Sequence, residues 1–158
     1  MTTQGCSMKF KCFSLLFLLF TISACSIKQT VDSSEISKQT ELCIIENHDV
    51  REGFLQTLQS SLRKRNINHR VISNRSIPNE CEWTMRYVGR WNWYLALYMS
   101  YAEIQVFHNG KLDGEAIYDS TRGGANMAKF IDAEPKIEEL VNELLKFNTS
   151  NLFYLSLS

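Results

Sequence analysis

The sequence predicts an α+β fold: a two-layer sandwich with one mixed sheet and two helices on one face of that sheet. Three patterns predict this fold: an alternating stretch from Cys81 to Asp119, an amphipathic segment on each side of it, and a short apolar run before the first of these segments. The expected element order is β-α-β-β-β-β-α. A chain of 158 residues is expected to form one such domain.

The stretch from Cys81 to Asp119 is expected to form a meander of three antiparallel strands. Its first part alternates apolar with polar residues, which is typical of a strand with one buried face. The apolar set of this part is Cys81, Trp83, Met85, Tyr87, Trp91 and Trp93. Gly89 interrupts the pattern and is expected to mark a bulge or a bend.

The register of the last two strands depends on the turn at Asn109-Gly110. A two-residue loop would place Ile104 opposite Glu115, which mixes apolar and acidic residues on one face. A three-residue loop with a bulge places Ile104 opposite Ala116 instead. Because a slip of one residue exchanges the two faces of a strand, the second register is predicted.

Two segments show the spacing of amphipathic helices. The first is expected to start at a capping box formed by Asp49 and Glu52, and it joins two short strands in a parallel crossover unit. The second is expected to start near Asp132–Pro135, with proline in the first turn. The apolar positions of the two helices are Val50, Phe54, Leu55, Leu58 and Leu62, and Ile137, Leu140, Val141, Leu144 and Leu145.

Residues 1–24 have the pattern of a signal peptide, whichever of Met1 and Met8 is the start. Lysines precede an apolar run of about ten residues, which is too short to span a bilayer as a helix. The run ends in Ile22-Ser23-Ala24-Cys25, which resembles a bacterial lipobox. The resemblance implies cleavage before Cys25, a diacylglyceryl thioether on its sulfur, an acylated amino group and, with serine next, sorting to the outer membrane. The alternative is a short buried helix with a chance cysteine.

Three further regions follow the signal peptide. Residues 25–40 are polar and lack an apolar period, so they are expected to comprise the lipidated cysteine and a flexible tether. Residues 41–147 are expected to form the globular domain. The tail, residues 148–158, alternates weakly and is interpreted as an extra edge strand or a frayed end.

Cys43 and Cys81 are the cysteines that remain once the signal peptide is removed and Cys25 is lipidated. In an oxidising compartment an even pair favours a disulfide between the first strand and the start of the meander. Two buried free thiols are the alternative. No metal site and no cofactor are expected, because the histidines are scattered and no Cys-x-x-Cys or His-x-x-x-His spacing occurs.

Enzyme activity is not expected, and no catalytic residue is assigned. The sequence contains no Gly-x-Ser-x-Gly elbow, no paired-carboxylate motif and no Walker sequence. Its formal net charge of zero gives no electrostatic reason to expect a nucleic-acid partner.

The aromatic residues of the meander are candidates for docking a partner, because exposed tryptophan and tyrosine side chains anchor many protein interfaces. The candidates are Trp91, Trp93, Tyr94, Tyr98 and Tyr101. The alternative is that these side chains pack beneath the helices and the tail.

A second candidate site is the loop formed by Thr121, Arg122, Gly123 and Gly124. Two glycines beside a hydroxyl and a guanidinium are compatible with an anion-binding nest of backbone amides. The alternative is a flexible turn after the last strand.

Four segments carry a further resemblance: Cys81-Glu-Trp-Thr, Tyr87-Val-Gly-Arg-Trp-Asn-Trp, Tyr101-Ala-Glu-Ile and Thr121-Arg-Gly-Gly-Ala. Through them the mature region is similar to an uncharacterised (Sbal-type) family of proteobacterial outer-membrane lipoproteins. That resemblance implies an envelope location and brings no activity or site residues. More distantly, the element order resembles small periplasmic domains of envelope-assembly lipoproteins and the N-terminal part of the Tol-system propeller protein, which is an analogy of fold alone.

The sequence therefore predicts a lipid-anchored lipoprotein on the periplasmic face of the outer membrane. Its expected role is that of a non-enzymatic adaptor or envelope-assembly protein, which contacts the membrane through Cys25 and docks an envelope protein through an aromatic sheet face. The alternative is a carrier of a small ligand or lipid. An enclosed apolar cavity would favour the carrier, whereas an exposed aromatic patch would favour the adaptor.

Overall fold

A mixed six-stranded sheet carries both helices on one face. The structure is a computed structural model, and it describes residues 27–37, 39–73, 80–124 and 126–147. The predicted signal peptide, the lipidation site Cys25 and the tail 148–158 lie outside the described residues. The described elements are β1 (Lys28–Asp32), β2 (Ser34–Ile36), β3 (Glu41–Ile45), α1 (Glu52–Lys64), β4 (Asn68–Ile72), β5 (Trp83–Tyr94), β6 (Ala96–His108), β7 (Lys111–Asp119), a 3-10 turn (Met127–Lys129), α2 (Ala133–Leu144) and β8 (Leu145–Phe147).

The strand order in the sheet is β1-β7-β6-β5-β3-β4. Strands β5, β6 and β7 form an antiparallel meander, β1 adds antiparallel to β7, and β3 runs parallel to both β4 and β5. Strands β2 and β8 form a separate parallel pair. The run from β3 to α2 confirms the predicted α+β sandwich and its element order.

The core lies between the helices and the sheet. Alternate residues of the central strands face it, as the period of two requires. The sheet contributes Leu42, Ile44, Met85, Tyr87, Ala102, Ile104, Val106, Ala116 and Tyr118, and the helices contribute Phe54, Leu58, Leu62, Ile137, Leu140, Val141 and Leu144. All of these side chains are almost completely buried. The apolar stripes predicted for the two helices therefore form one side of the core.

The predicted capping box at the start of α1 is wrong. The helix begins at Glu52 after Arg51, which provides no side-chain cap. Asp49 lies instead in a turn, where its backbone amide donates to Oδ1 of Asn47 at 3.0 Å. These residues therefore form an Asx turn and not the first turn of the helix, because a short polar side chain can bond to a neighbouring backbone amide.

The predicted register of the β6–β7 hairpin is confirmed, but its loop is shorter than predicted. Ile104 pairs with Ala116, yet the loop consists of Asn109 and Gly110 alone, with φ angles of 50° and 77°. Such left-handed pairs match the twist of a two-residue hairpin. The extra residue needed for the register is Asp113, which forms a bulge inside β7 rather than in the loop.

The prediction of a flexible tether over residues 25–40 is wrong for residues 28–36. Strand β1 pairs with β7 along five residues, and β2 places Ser34 and Ile36 in completely buried positions. Gln29 joins β1 to α2, because its amide nitrogen donates to Glu139 at 2.9 Å and to Glu143 at 3.0 Å. An edge strand is held by backbone hydrogen bonds, which need no apolar side chains. The polar sequence of β1, which lacks an apolar period, therefore gave no sign of the strand.

A disulfide joins Cys43 and Cys81, whose Cα atoms are 6.0 Å apart. Cys43 is completely buried in β3, and Cys81 stands two residues before β5, the strand that pairs with β3. The bond links residues separated by 38 positions in the chain. It therefore links the crossover unit, formed by β3, α1 and β4, covalently to the start of the meander.

Replacing both Cys43 and Cys81 with alanine is expected to lower the free energy of unfolding by up to about 4 kcal/mol, because the unfolded chain regains the freedom of a long loop. Urea denaturation measures the loss. Reducing agent should destabilise the parent protein and leave the double variant unchanged. Equal stability of the two proteins would contradict a structural role for this disulfide.

Candidate functional site

The five aromatic candidates lie in the long β5–β6 hairpin, but they do not share a face. Trp93 and Tyr94 are 75% and 50% exposed, Trp91 and Tyr101 are half-buried, and Tyr98 is buried. A β-bulge lies between Arg90 and Trp91, where Ser100 is an extra residue on β6. Alternation along β5 places Trp91 and Trp93 on one side of the hairpin and Tyr94 on the other, so a single aromatic face is not formed.

No described element covers the face of the sheet opposite the helices, and we call it the open sheet face. Its residues come from the central strands: Arg86, Val88 and Arg90 of β5, Tyr101, Glu103, Gln105 and Phe107 of β6, and Glu115 and Ile117 of β7. The two arginines are exposed, and the other side chains are half-buried against one another. Of the five aromatic candidates, Tyr101 belongs to this face.

Hydrogen bonds order the centre of the open sheet face. The Tyr101 hydroxyl donates to Glu103 Oε2 at 2.6 Å, and the Gln105 amide donates to Glu115 Oε1 at 2.6 Å. Burial and the neighbouring Glu103 carboxylate raise the pKa of Tyr101 to about 12. Tyr101 is therefore a neutral phenol at physiological pH, and its hydroxyl is committed to Glu103.

Two guanidinium groups lie over aromatic rings on this face. Arg90 is 5.0 Å from the ring centre of Tyr101, and Arg86 is 5.2 Å from that of Phe107. Among the described residues neither guanidinium lies within 4.0 Å of a carboxylate oxygen. Arginine stacked on tyrosine or phenylalanine keeps its hydrogen-bond donors free for a partner.

The apex of the β5–β6 hairpin is a second uncovered surface, and we call residues 93–97 the hairpin tip. Leu95 and Leu97 are 77% and 49% exposed, beside the exposed Trp93 and Tyr94. Leu95 has a φ angle of 61°, a left-handed conformation that costs an L-residue other than glycine about 1–2 kcal/mol. The sequence itself marks this turn as unusual, because residues 93–97 include none of glycine, asparagine, aspartate and proline, which are the usual turn residues.

The base of the hairpin tip is packed on the segment that leads into α2. Phe130 stacks with Tyr94 at 6.4 Å between ring centres and meets Tyr98 edge-on at 5.3 Å. Lys129 is 4% exposed, and its Nζ lies 4.1 Å from the Tyr94 ring centre while donating to the Gly124 carbonyl at 2.7 Å. Sequence reasoning missed Lys129, since a single lysine in a segment between a strand and a helix gives no sign of burial.

Trp91 lies on the helix side of the sheet. Its ring meets Phe54 edge-on, with centres 6.4 Å apart, and both rings pass close over Gly89. A cleft of about 280 Å³ opens beside them, with Arg51 and Glu134 at its rim. Two other open clefts, of about 250 and 400 Å³, have mostly polar linings. None of these three clefts is an enclosed apolar cavity.

The loop proposed as an anion nest is a turn in which the amides of Thr121 and Gly123 are already engaged. The Thr121 amide and hydroxyl both donate to Oδ1 of Asp119, at 2.8 and 2.5 Å, and the Gly123 amide donates to the Ser120 carbonyl at 2.9 Å. The hydrogen bonds from Thr121 lower the pKa of Asp119. The carboxylate beside these amides therefore gives the anion-site interpretation no support.

Neither a metal cluster nor a spanning helix is found in the part of the chain that the structure describes. No group of three or more metal-binding side chains comes together there. The two described helices are also too short and too polar to cross a bilayer.

Gly89→Ala is expected to lower the free energy of unfolding by about 1–3 kcal/mol, because a Cβ there would lie 2.8 Å from the Trp91 ring and 2.9 Å from the Phe54 ring. Thermal denaturation measures the change. Gly53→Ala is the matched control, since no atom lies within 4 Å of its Cβ position in α1. That control is expected to be neutral or stabilising by about 0.5 kcal/mol. Equal effects of both substitutions would contradict the packing described for Trp91.

The Thr121 amide resonance is expected to titrate with a midpoint below 3.8, the ordinary pKa of aspartate, because its acceptor is the Asp119 carboxylate. A lowered folded-state pKa means that the contact stabilises the fold above the ordinary value and is lost as the pH falls through the lowered one. A pH series of amide spectra measures the midpoint. Asp119→Asn should abolish the titration, and a midpoint above 3.8 would contradict the contact.

No family model and no curated protein matches the chain. Among solved structures, a PelC dodecamer from Paraburkholderia phytofirmans is similar with a TM-score of 0.53 at 11% identity, covering 75% of this chain and 98% of that chain. A second PelC dodecamer from the same organism, of a point variant, gives a TM-score of 0.47 at 11% identity, with 73% and 90% covered. At this identity the first likeness shows a shared fold and nothing of function.

Proposed function

We propose that the protein is a lipid-anchored outer-membrane lipoprotein on the periplasmic side, and that it docks an envelope protein through the open sheet face. It acts as a non-enzymatic adaptor or assembly factor. The anchor is the lipid on Cys25, which the lipobox resemblance supports, and the mature region is proposed to belong to the lipoprotein family that it resembles. Several acyl chains give a durable anchor, since each buried methylene contributes about 0.8 kcal/mol.

The observation that carries the docking proposal is the uncovered centre of the open sheet face. Val88, Phe107 and Ile117 supply half-buried apolar area there. Arg86 and Arg90 lie beside it, with their guanidinium groups over aromatic rings of β6. Interface centres are enriched in aromatic residues and arginine, and arginine is prominent among the residues whose truncation weakens binding. The carboxylates of β6 and β7 lie beside the arginines of β5, so a partner with both charges is favoured.

The carrier alternative has less support. A small apolar ligand needs a concave site that encloses most of its surface. The clefts found among the described residues are open, and the two larger ones flank polar or charged groups such as Glu46, Arg86 and Glu134. None of these clefts is an enclosed pocket between sheet and helices, where buried side chains of both layers pack together.

A second copy of this chain is one of the partners that the crosslinking experiment described below would identify. The PelC structure with the same fold is a dodecamer. An assembly of identical copies would also explain a face that carries both arginines and glutamates, since such a face can be complementary to itself.

In-cell crosslinking from a photoreactive residue at Val88 or Ile117 is expected to capture one dominant envelope protein, identified by mass spectrometry. Both positions lie on the open sheet face and are half-buried. Arg90→Ala is expected to weaken the capture about tenfold, a loss of roughly 1.4 kcal/mol that is typical of an interface arginine.

The matched control is the same photoreactive residue at Gln56, which is exposed on α1, away from the open sheet face. It should capture no such partner. If Val88 and Ile117 also capture no protein, and a lipid or metabolite copurifies with the chain instead, the adaptor proposal fails and the carrier becomes the better account.

A further inference from the structure

The first described strand begins at the end of the sheet from which the hairpin tip projects. Lys28 pairs with Asp119, Asp119 pairs with Tyr101, and Tyr101 pairs with Arg90, so these residues form one row across four strands. Strands β5 and β6 continue beyond this row to the hairpin tip, whereas β1 runs the other way. The chain therefore enters the domain at the end of the sheet that carries the tip.

Gly123 lies between the point where the chain enters the domain and Lys129, which packs on the base of the tip. A Cβ at Gly123 would lie 3.6 Å from the Ile27 side chain and 3.8 Å from the Lys129 side chain. Lys129 in turn packs on the rings of Tyr94 and Tyr98, 4.1 and 5.3 Å from their centres. The entry point and the tip thus belong to one packed unit, which limits their independent motion.

The hairpin tip extends further beyond the row than Cys25 can lie from it. Five residues separate Arg90 from Leu95, and at about 3.3 Å per strand residue the tip extends roughly 16 Å beyond the row. Cys25 precedes Lys28 by three residues, which span at most about 10 Å. Lipid chains on Cys25 would therefore enter a bilayer whose surface lies within reach of the tip.

The chemistry of the tip fits the interfacial layer of a membrane. No charged residue occurs from Trp91 to Ser100. Tryptophan and tyrosine concentrate at membrane interfaces, where their rings are apolar and their polar groups remain hydrated. Leu95 projects furthest and keeps its left-handed conformation at an exposed turn, where glycine or asparagine would be less strained. Such strain at a surface site suggests that the leucine side chain itself is required.

We propose that the hairpin tip inserts into the same leaflet that holds the lipid on Cys25, and that it forms a second, non-covalent contact with the bilayer. The proposal rests on the lipid anchor of the proposed function. Two contacts at one end of the sheet hold the strands upright on the membrane. The open sheet face then points sideways, along the membrane, toward neighbouring proteins.

The test uses the full lipidated chain in phosphatidylcholine vesicles, with and without bromine near the headgroup end of the acyl chains. Bromine quenches only tryptophans that lie close to it, and the chain has three, Trp83, Trp91 and Trp93. Quenching is expected in the parent protein, and Trp93→Phe is expected to abolish most of it. Trp83→Phe is the matched control and should retain it, because Trp83 stacks on His108 at the opposite end of β5.

A second pair of variants keeps all tryptophans. Leu95→Asp is expected to abolish the quenching by placing a charge at the tip. Leu112→Asp should leave it unchanged, because Leu112 is 47% exposed at the opposite end of the sheet, beside the Asn109-Gly110 loop. Both leucines are exposed, so both variants are expected to fold.

The outcomes separate this inference from the proposal on which it rests. Flotation of the Leu95→Asp variant with vesicles reports the lipid anchor without the contribution of the tip. If the chain floats but shows no quenching, or if Trp93→Phe leaves the quenching intact, insertion of the tip is overturned while the anchor stands. Capture of a protein by a photoreactive residue at Trp93 in cells would also overturn it and would assign the tip to a protein interface.

Discussion

In the part of the chain that the structure describes, the fold depends on the mismatch between a six-stranded sheet and a layer of two helices. The helices have 13 and 12 residues, and together they bury one face of the sheet. Arg65 joins their C-terminal ends, since its guanidinium donates to the Val141 carbonyl at 3.0 Å and to the Leu145 carbonyl. Burial lowers the pKa of this guanidinium. Neither of the two described helices covers the opposite face, so among the described residues that face offers half-buried apolar side chains and arginines without a carboxylate partner.

Two bulges adapt the meander to this arrangement. The bulge at Asp113 keeps the apolar residues of β6 and β7 on the helix side despite the short Asn109-Gly110 loop. The bulge at Ser100 sends the hairpin beyond the sheet with its alternation reversed on β6. One irregularity therefore preserves the core, and the other lies between Tyr101 on the open sheet face and the exposed tip. Bulges at such positions are structural features of a sheet, because they set the direction of the side chains that follow them.

The two uncovered surfaces are compatible with one arrangement at a membrane. Strand β1 connects the anchor to the sheet, and Gln29, Lys136 and Glu139 fasten it to α2 through hydrogen bonds of 2.6 to 3.1 Å. Such partly exposed contacts are individually weak, yet they fix the direction in which the chain leaves the domain. A rigid exit of this kind would set the orientation of the open sheet face relative to the bilayer, which a long flexible tether would not do.

Local patterns in the sequence determined the main elements. The alternation after Cys81 and the apolar spacing of both helices predicted the sandwich and its element order, because burial of one face imposes a period that the residues must show. The candidate disulfide followed from the even pair of cysteines, Cys43 and Cys81. The sequence also contained the lipobox resemblance. The positions of the bulges, the edge strand β1 and the burial of Lys129 were decided only by the tertiary structure. Backbone pairing and close packing of distant segments, such as Lys129 against Tyr94, leave no periodic trace in a single sequence.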